Sequence, residues 1–149
     1  MITKNYLAGF IDGEGSIAIY KHKDTRTQKG YTLHPHFEIA NTNEEVLKAI
    51  KEVIGGKLKI KPKYKGCKNV YYVEFQDYEQ IKKALIIVSP FLIIKQKQAK
   101  LMIEFCTSRI KSQGKKYSER DYEIANIFST INKRGERSDK LLGILPNEL

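Results

Sequence analysis

Cysteine is scarce in this chain. Only Cys67 and Cys106 occur among 149 residues, and neither belongs to a CxxC pair. That argues against a disulfide framework or a cysteine-built zinc site and fits a reducing, intracellular compartment. Long hydrophobic runs are missing too. The apolar stretch 85–94 is broken at Ser89-Pro90, well short of the roughly 20 residues that span a bilayer. No cationic segment leads into an apolar stretch at the N-terminus, so neither secretion nor a membrane partner is expected. Acids are in short supply: 17 Asp plus Glu face 27 Lys plus Arg, a formal net charge of +10. Such a balance favours a polyanionic partner, nucleic acid foremost. A basic but merely soluble protein is the alternative, and the placement of the charge decides between them.

The length is that of one domain able to bury a core. There is no linker and no internal repeat, so the chain reads as a single domain over 1–149, with its tail after Gly135. Tyr6, Leu7, Phe10 and Ile11 have helical spacing, which predicts a short helix from Thr3 to Asp12. From Ser16 to Lys23 the period changes to two, predicting a strand, and a polar turn follows over Asp24 to Gly30. Alternation resumes from Tyr31 to Ala40, where Pro35 implies a bulge or an edge position. Thr42-Asn-Glu-Glu45 reads as a capping box before a helix striped by Val46, Leu47, Ile50, Val53 and Ile54. Gly55-Gly56 ends it. Strands are expected over Lys57 to Lys65 and Val70 to Phe75, with a turn at Gly66. A third helix starts near Asp77 and closes at Ser89-Pro90. Two more helices are expected over Lys95 to Lys111 and Ser118 to Arg134. Two hairpins between helices imply an α+β fold: an antiparallel sheet with helices on one face. The other face must meet water or a partner.

Between Lys57 and Lys65 lysine takes every odd position: Lys57, Lys59, Lys61, Lys63 and Lys65. Strand side chains alternate, so all five line one face. Edge-strand protection would need only one or two of them; five in a row favour phosphate contacts. Outward positions on the first two strands hold Tyr20, His22, Thr32, His34, His36 and Glu38, groups suited to base edges in a major groove. His34 and His36 also suggest a metal pair, but no third ligand has a suitable spacing. Tyr71 and Tyr72 must face opposite ways, one to the core and one to the ligand surface.

The opening stretch Leu7-Ala-Gly-Phe-Ile-Asp-Gly-Glu-Gly15 resembles the signature of the LAGLIDADG homing endonucleases. Ser89-Pro-Phe-Leu-Ile-Ile-Lys-Gln-Lys-Gln-Ala99 is similar to a second segment of the family's single-motif, intron-encoded branch. Together with the order of elements between them, the likeness covers about residues 4 to 134. It implies an αββαββα core with a four-stranded DNA-binding sheet and extra C-terminal helices. A single motif implies a homodimer. Gly9 and Gly13, four apart, suit close approach of two helices.

By this resemblance Asp12 is structural and Glu14 is the metal-binding acid, with the Gly13 carbonyl as a further ligand. Asn41 helps order solvent near the metals, and Lys95 sits close to the scissile phosphate. At a position often basic in the family, this chain reads Asn43-Glu44-Glu45; Lys97 is the candidate substitute. Lys57, Lys59, Lys61, Lys63 and Tyr72 join the outward residues above as DNA-binding. The implied activity is Mg²⁺-dependent cutting of both strands of a long pseudo-palindromic duplex. The cut would cross the central minor groove and leave 3′ overhangs. Mn²⁺ or Ca²⁺ are alternative occupants, and no small-molecule cofactor is expected. The rival readings are an intron RNA maturase, a non-cleaving DNA-binding protein of this fold, and a scaffold for acidic proteins. The expected compartment is the cytoplasm or an organelle of the intron host.

Overall fold

The structure is a computed structural model that describes residues 1–62 and 65–132. Thr3 accepts a hydrogen bond from the Tyr6 N–H and starts helix α1, Lys4–Glu14. The helix runs two residues past the expected Asp12 and takes Gly13 and Glu14 into its last turn. Gly15 then enters strand β1, Gly15–Lys23, at once. A Cβ on Gly15 would lie 2.7 Å from the Ile11 carbonyl oxygen, so this close helix-to-strand passage needs glycine.

β2 spans Tyr31–Asn41, and the turn between it and β1 is closed by Asp24 and Gly30. The β1–β2 register is unbroken from Gly15 opposite Ile39 to Lys23 opposite Tyr31. Pro35 therefore lies in no bulge. It is at a local edge, because the next strand pairs only with Phe37 to Asn41 of β2. Helix α2, Glu44–Ile54, is capped by Asn43, whose side chain accepts from the Val46 N–H. The expected cap, Thr42, is displaced by one residue because Asn41 accepts from the Asn43 N–H and extends the turn.

Gly56 follows α2 at φ +92°, where a Cβ would strike Val73 at 2.6 Å. β3 is Lys57–Lys61, shorter than the alternation suggested, and β4 is Val70–Phe75. The sheet order is β1-β2-β4-β3, antiparallel throughout. Asp77 caps helix α3, Tyr78–Val88, and a single 3-10 turn at Ser89–Phe91 breaks the path at Pro90. Helices α4, Gln96–Ser112, and α5, Glu119–Ile131, complete the described chain. Ser118 and Asp121 form a reciprocal capping box at the start of α5. The end expected for that helix at Arg134, and the whole tail 135–149, lie outside the described residues.

The helices cover one face of the sheet. Leu7, Ala8 and Ile11 of α1 are fully buried with Phe37, Ile39, Val73, Leu47, Leu85 and Phe105. Phe37 and Phe75 stack across the two central strands with ring centroids 4.6 Å apart. Cys106 lies in this core, where burial pushes its thiol pKa up to about 12; Cys67 is exposed, and both are free. No helix among the described residues is long and apolar enough to cross a membrane. All of this leaves the opposite sheet face uncovered.

Candidate active site and nucleic-acid interface

Both carboxylates of the opening motif fall in the last turn of α1, yet their surroundings differ. Asp12 turns back to the segment before α4. Its Oδ2 accepts from the Ile93 N–H and its Oδ1 from the Lys95 N–H, each at 2.9 Å. Lys95 stands at the N-cap of α4 without a side-chain cap of its own, so Asp12 supplies the anion that favours this helix end. The Lys95 ammonium in turn donates to the Asp12 carbonyl oxygen at 2.5 Å, at the carbonyl-rich end of α1. The two segments that carry the family resemblance are thus pinned to each other.

Glu14 and Gly13 are exposed. A carboxylate and a backbone carbonyl are hard oxygen donors of the kind Mg²⁺ takes together with substrate phosphates and water. The described residues contain no group of three or more His, Cys, Asp or Glu that could hold a metal by themselves. These two donors are fewer than a divalent cation takes, so a cation held here would need further oxygen ligands from outside this pair. A cleft of about 1030 Å³ adjoins this point, lined by Asp12, Gly13, Lys95, Gln98, Ser129 and Asn132 and by β1 from Gly15 to Lys21.

Asn41 is only partly available. It lies opposite Tyr71 on the parity of Ile39, the core side of β2, and its Oδ1 is held by the Asn43 N–H at 2.8 Å. The sheet's open face brings the other expected residues together. Cross-strand partners share a face, so Tyr20 with His34, His22 with Thr32, and Ser16 with Glu38 stand on one side. Tyr72 and Lys59, paired across β4 and β3, join them, as do Lys57 and Lys61. Tyr71 packs against the core, so Tyr72 is the outward tyrosine.

The distal end of this face is aromatic and basic. His22 and His34 stack with ring centroids 4.1 Å apart, and Thr32 Oγ1 meets His34 Nε2 at 2.8 Å. Burial, then the nearby His22, lowers the His34 pKa. Tyr20 and His36 form a second ring pair at 5.2 Å. The proximal end, beside Glu14, carries opposite charges. Lys59 forms an ion pair with Glu74 on β4, which raises the lysine pKa. Glu74 was missed by sequence reasoning, although it lies two residues beyond Tyr72 and so on the same face. Of the five aligned lysines, three are in β3; Lys63 lies outside the described residues and Lys65 belongs to the turn.

Helix α1 also has a bare side. Gly9 and Gly13 are exposed, and a Cβ on either would meet nothing within 4 Å. Tyr6 on the same helix is 50% exposed, and Phe91, Ile93 and Ile94, beside the helix end, are 41%, 86% and 71% exposed. Neighbouring apolar groups this open are uncommon on a monomer's surface.

The fold is shared with solved homing endonucleases. The archaeal intron-encoded enzyme I-Vdi141I, solved with DNA, is 25% identical over 96% of this chain and 92% of its own, with a TM-score of 0.69. I-CvuI, solved with its target in Ca²⁺, gives 16% identity, 97% and 92% coverage and a TM-score of 0.68. I-TnaI gives 19%, 98% and 97%, and 0.66. No curated protein sequence matches the chain. The family model described as LAGLIDADG endonuclease matches residues 7–102, a span that takes in the motif, the four strands and the α4 segment clasped by Asp12. On that match the chain belongs to the LAGLIDADG endonuclease family.

Proposed function

We propose that this protein is a divalent-cation-dependent, site-specific DNA endonuclease that cuts both strands of a long, roughly palindromic duplex as a homodimer. The observation that carries the reading is one of continuity. The exposed Glu14 ends α1, and the next two residues begin the open sheet face lined by hydrogen-bonding and basic side chains. Chemistry and recognition are therefore one strand-start apart. I-Vdi141I, with the same fold, is solved on DNA, and I-CvuI on DNA with Ca²⁺.

In this reading the bare Gly9 and Gly13 face of α1 meets its copy across a two-fold axis. Tyr6, Phe91, Ile93 and Ile94 lie beside that interface. The dimer brings two Glu14 side chains together, which with the Gly13 carbonyls would hold Mg²⁺. A divalent cation held by these residues would supply charge to polarise the phosphoryl group, stabilise the leaving oxygen and lower the pKa of an attacking water. Asp12 keeps the end of α1 fixed to α4. Lys95, held at the same helix end, adds positive charge beside the scissile phosphate. Asn41, with Oδ1 already engaged, contributes to solvent order through its amide nitrogen. In this reading the sheet lies in the major groove of each half-site, and the cut crosses the intervening minor groove and leaves 3′ overhangs.

A duplex joining the two exons that flank the host intron is the direct test. Incubation with Mg²⁺ should cut both strands at one site, and incubation with EDTA should leave the duplex whole. Tight binding of that duplex with no cutting in Mg²⁺ or Mn²⁺ would refute the enzyme reading.

A further inference from the structure

Two carboxylates, Glu38 and Glu74, stand directly opposite each other on the sheet face assigned to DNA. Such a face draws affinity from neutralising phosphates, and each acid works against that. Their presence needs another reason. The row across the four strands reads Ser16, Glu38, Glu74, Lys57. Lys59, two residues further along β3, reaches Glu74 and pairs with it. The two side chains are 31% and 29% exposed, half-buried on the sheet face and outside the core, with the Glu74 oxygen that meets Lys59 itself shielded from solvent.

A carboxylate only accepts hydrogen bonds and an ammonium only donates them. Held side by side, they present one acceptor next to one donor. In a major groove the amine donors are cytosine N4 and adenine N6, and guanine alone offers two neighbouring acceptors, O6 and N7. A G·C pair thus sets its donor beside the best seat for an ammonium.

Building on the endonuclease reading, we infer that Glu74 and Lys59 together read one G·C pair in each half-site. Glu74 accepts from the cytosine N4 amine, and Lys59 donates to guanine O6 or N7. Lys59 is consequently a specificity residue and not a phosphate anchor. The row starts at Ser16, two residues after Glu14, so the pair read is among those nearest the cut. The histidine cluster, at the far end of β1 and β2, falls on outer positions.

A duplex library with randomised half-sites, cut in Mg²⁺ and sequenced, tests this. The parent protein should select G·C at one symmetric position near the cut. Glu74→Gln should move that one position towards A·T, since glutamine suits adenine N6 and N7, with a change of about tenfold. Lys59→Met should erase the preference there and leave other positions alone. On random-sequence duplex, Glu74→Gln should steepen the slope of log K against log salt by up to about 0.9, as Lys59 becomes available to a phosphate. Thermal melts confirm that both surface variants fold. A parental selection profile from either folded variant, or a loss spread evenly over all positions, overturns the inference while the endonuclease reading stands. A parent that selects no sequence overturns both.

Discussion

Asp12 and Lys95 hold each other through two separate connections. The Asp12 carboxylate accepts the Lys95 backbone N–H, and the Lys95 ammonium donates to the Asp12 backbone carbonyl. Because Ile93 binds the other carboxylate oxygen, the clasp fixes the end of α1 to the start of α4. Asp12→Ala leaves two backbone donors without their partner. It should lower stability by about 1–2 kcal/mol, seen as a drop of several degrees in Tm, with activity falling alongside. Asp12→Asn keeps one acceptor and should lose less. Equal melting of all three proteins would contradict a structural role.

Glu14 has no such duty in the fold, being exposed at the helix end. Glu14→Gln keeps the shape but removes the charge proposed to balance a divalent cation near phosphates. Cleavage should fall by a factor on the order of 10² or more. With DNA affinity carried by the sheet, as proposed, binding should be equal or higher. A gel-shift titration beside a Mg²⁺ time course reads both. Parental cutting by this variant would place the metal elsewhere.

Gly9 offers a clean test of the dimer. Its missing Cβ would touch nothing in the protomer, so Gly9→Leu should not disturb the fold of one chain. Leucine also suits a helix better than glycine by about 0.5–1 kcal/mol. Sedimentation should show the parent as a dimer without DNA and the variant as a folded monomer that no longer cuts both strands. A monomeric parent that cuts both strands would end the homodimer reading.

The contrast between Asp12 and Lys59 shows what the sequence could and could not convey. Alternation placed Tyr20 and His34 on one sheet face and set Tyr71 and Tyr72 on opposite faces, and capping and proline signals placed most helix ends. These depend on neighbours within a few residues. The α2 cap slipped from Thr42 to Asn43 because two local hydrogen-bond patterns competed within three residues. Lys59 read as one of a row of phosphate-binding lysines because its partner, Glu74, is on another strand. Glu74 was on the right parity, but the β3–β4 register that brings it beside Lys59 is a tertiary property. The Asp12 clasp joins residues more than eighty apart, and only the family resemblance hinted at it.

The same distinction separates the lysines experimentally. Lys61 lies over the Tyr72 ring at 5.9 Å and is exposed, whereas Lys59 is paired with Glu74. Lys57→Ala combined with Lys61→Ala should weaken cognate and random duplexes alike. It should flatten the salt slope by up to about 0.9 for each phosphate that is no longer neutralised. An unchanged slope with loss of cognate binding alone would make these lysines base readers instead.

The stacked His22 and His34 predict opposite responses of folding and DNA binding to acid. Burial, followed by the charge of His22, holds the His34 pKa below its ordinary value of 6.5. The unfolded chain therefore takes up its proton first as pH falls. Stability associated with His34 is fully present above about pH 6.5 and is lost as pH drops through the lower folded value. His34→Phe preserves a ring against His22 without the titration, so its Tm should fall less than the parent's between about pH 7 and 5.5. DNA reverses the sign, because nearby phosphates favour the protonated His34 ring and binding takes up a proton there. Affinity for duplex should rise on acidification, and His34→Phe should reduce that rise. Tyr20 and His36 border the pair on the same face. Comparing parent with variant, and not reading the parent alone, isolates His34. Identical pH profiles for Tm in the two proteins would rule out His34 as the cause.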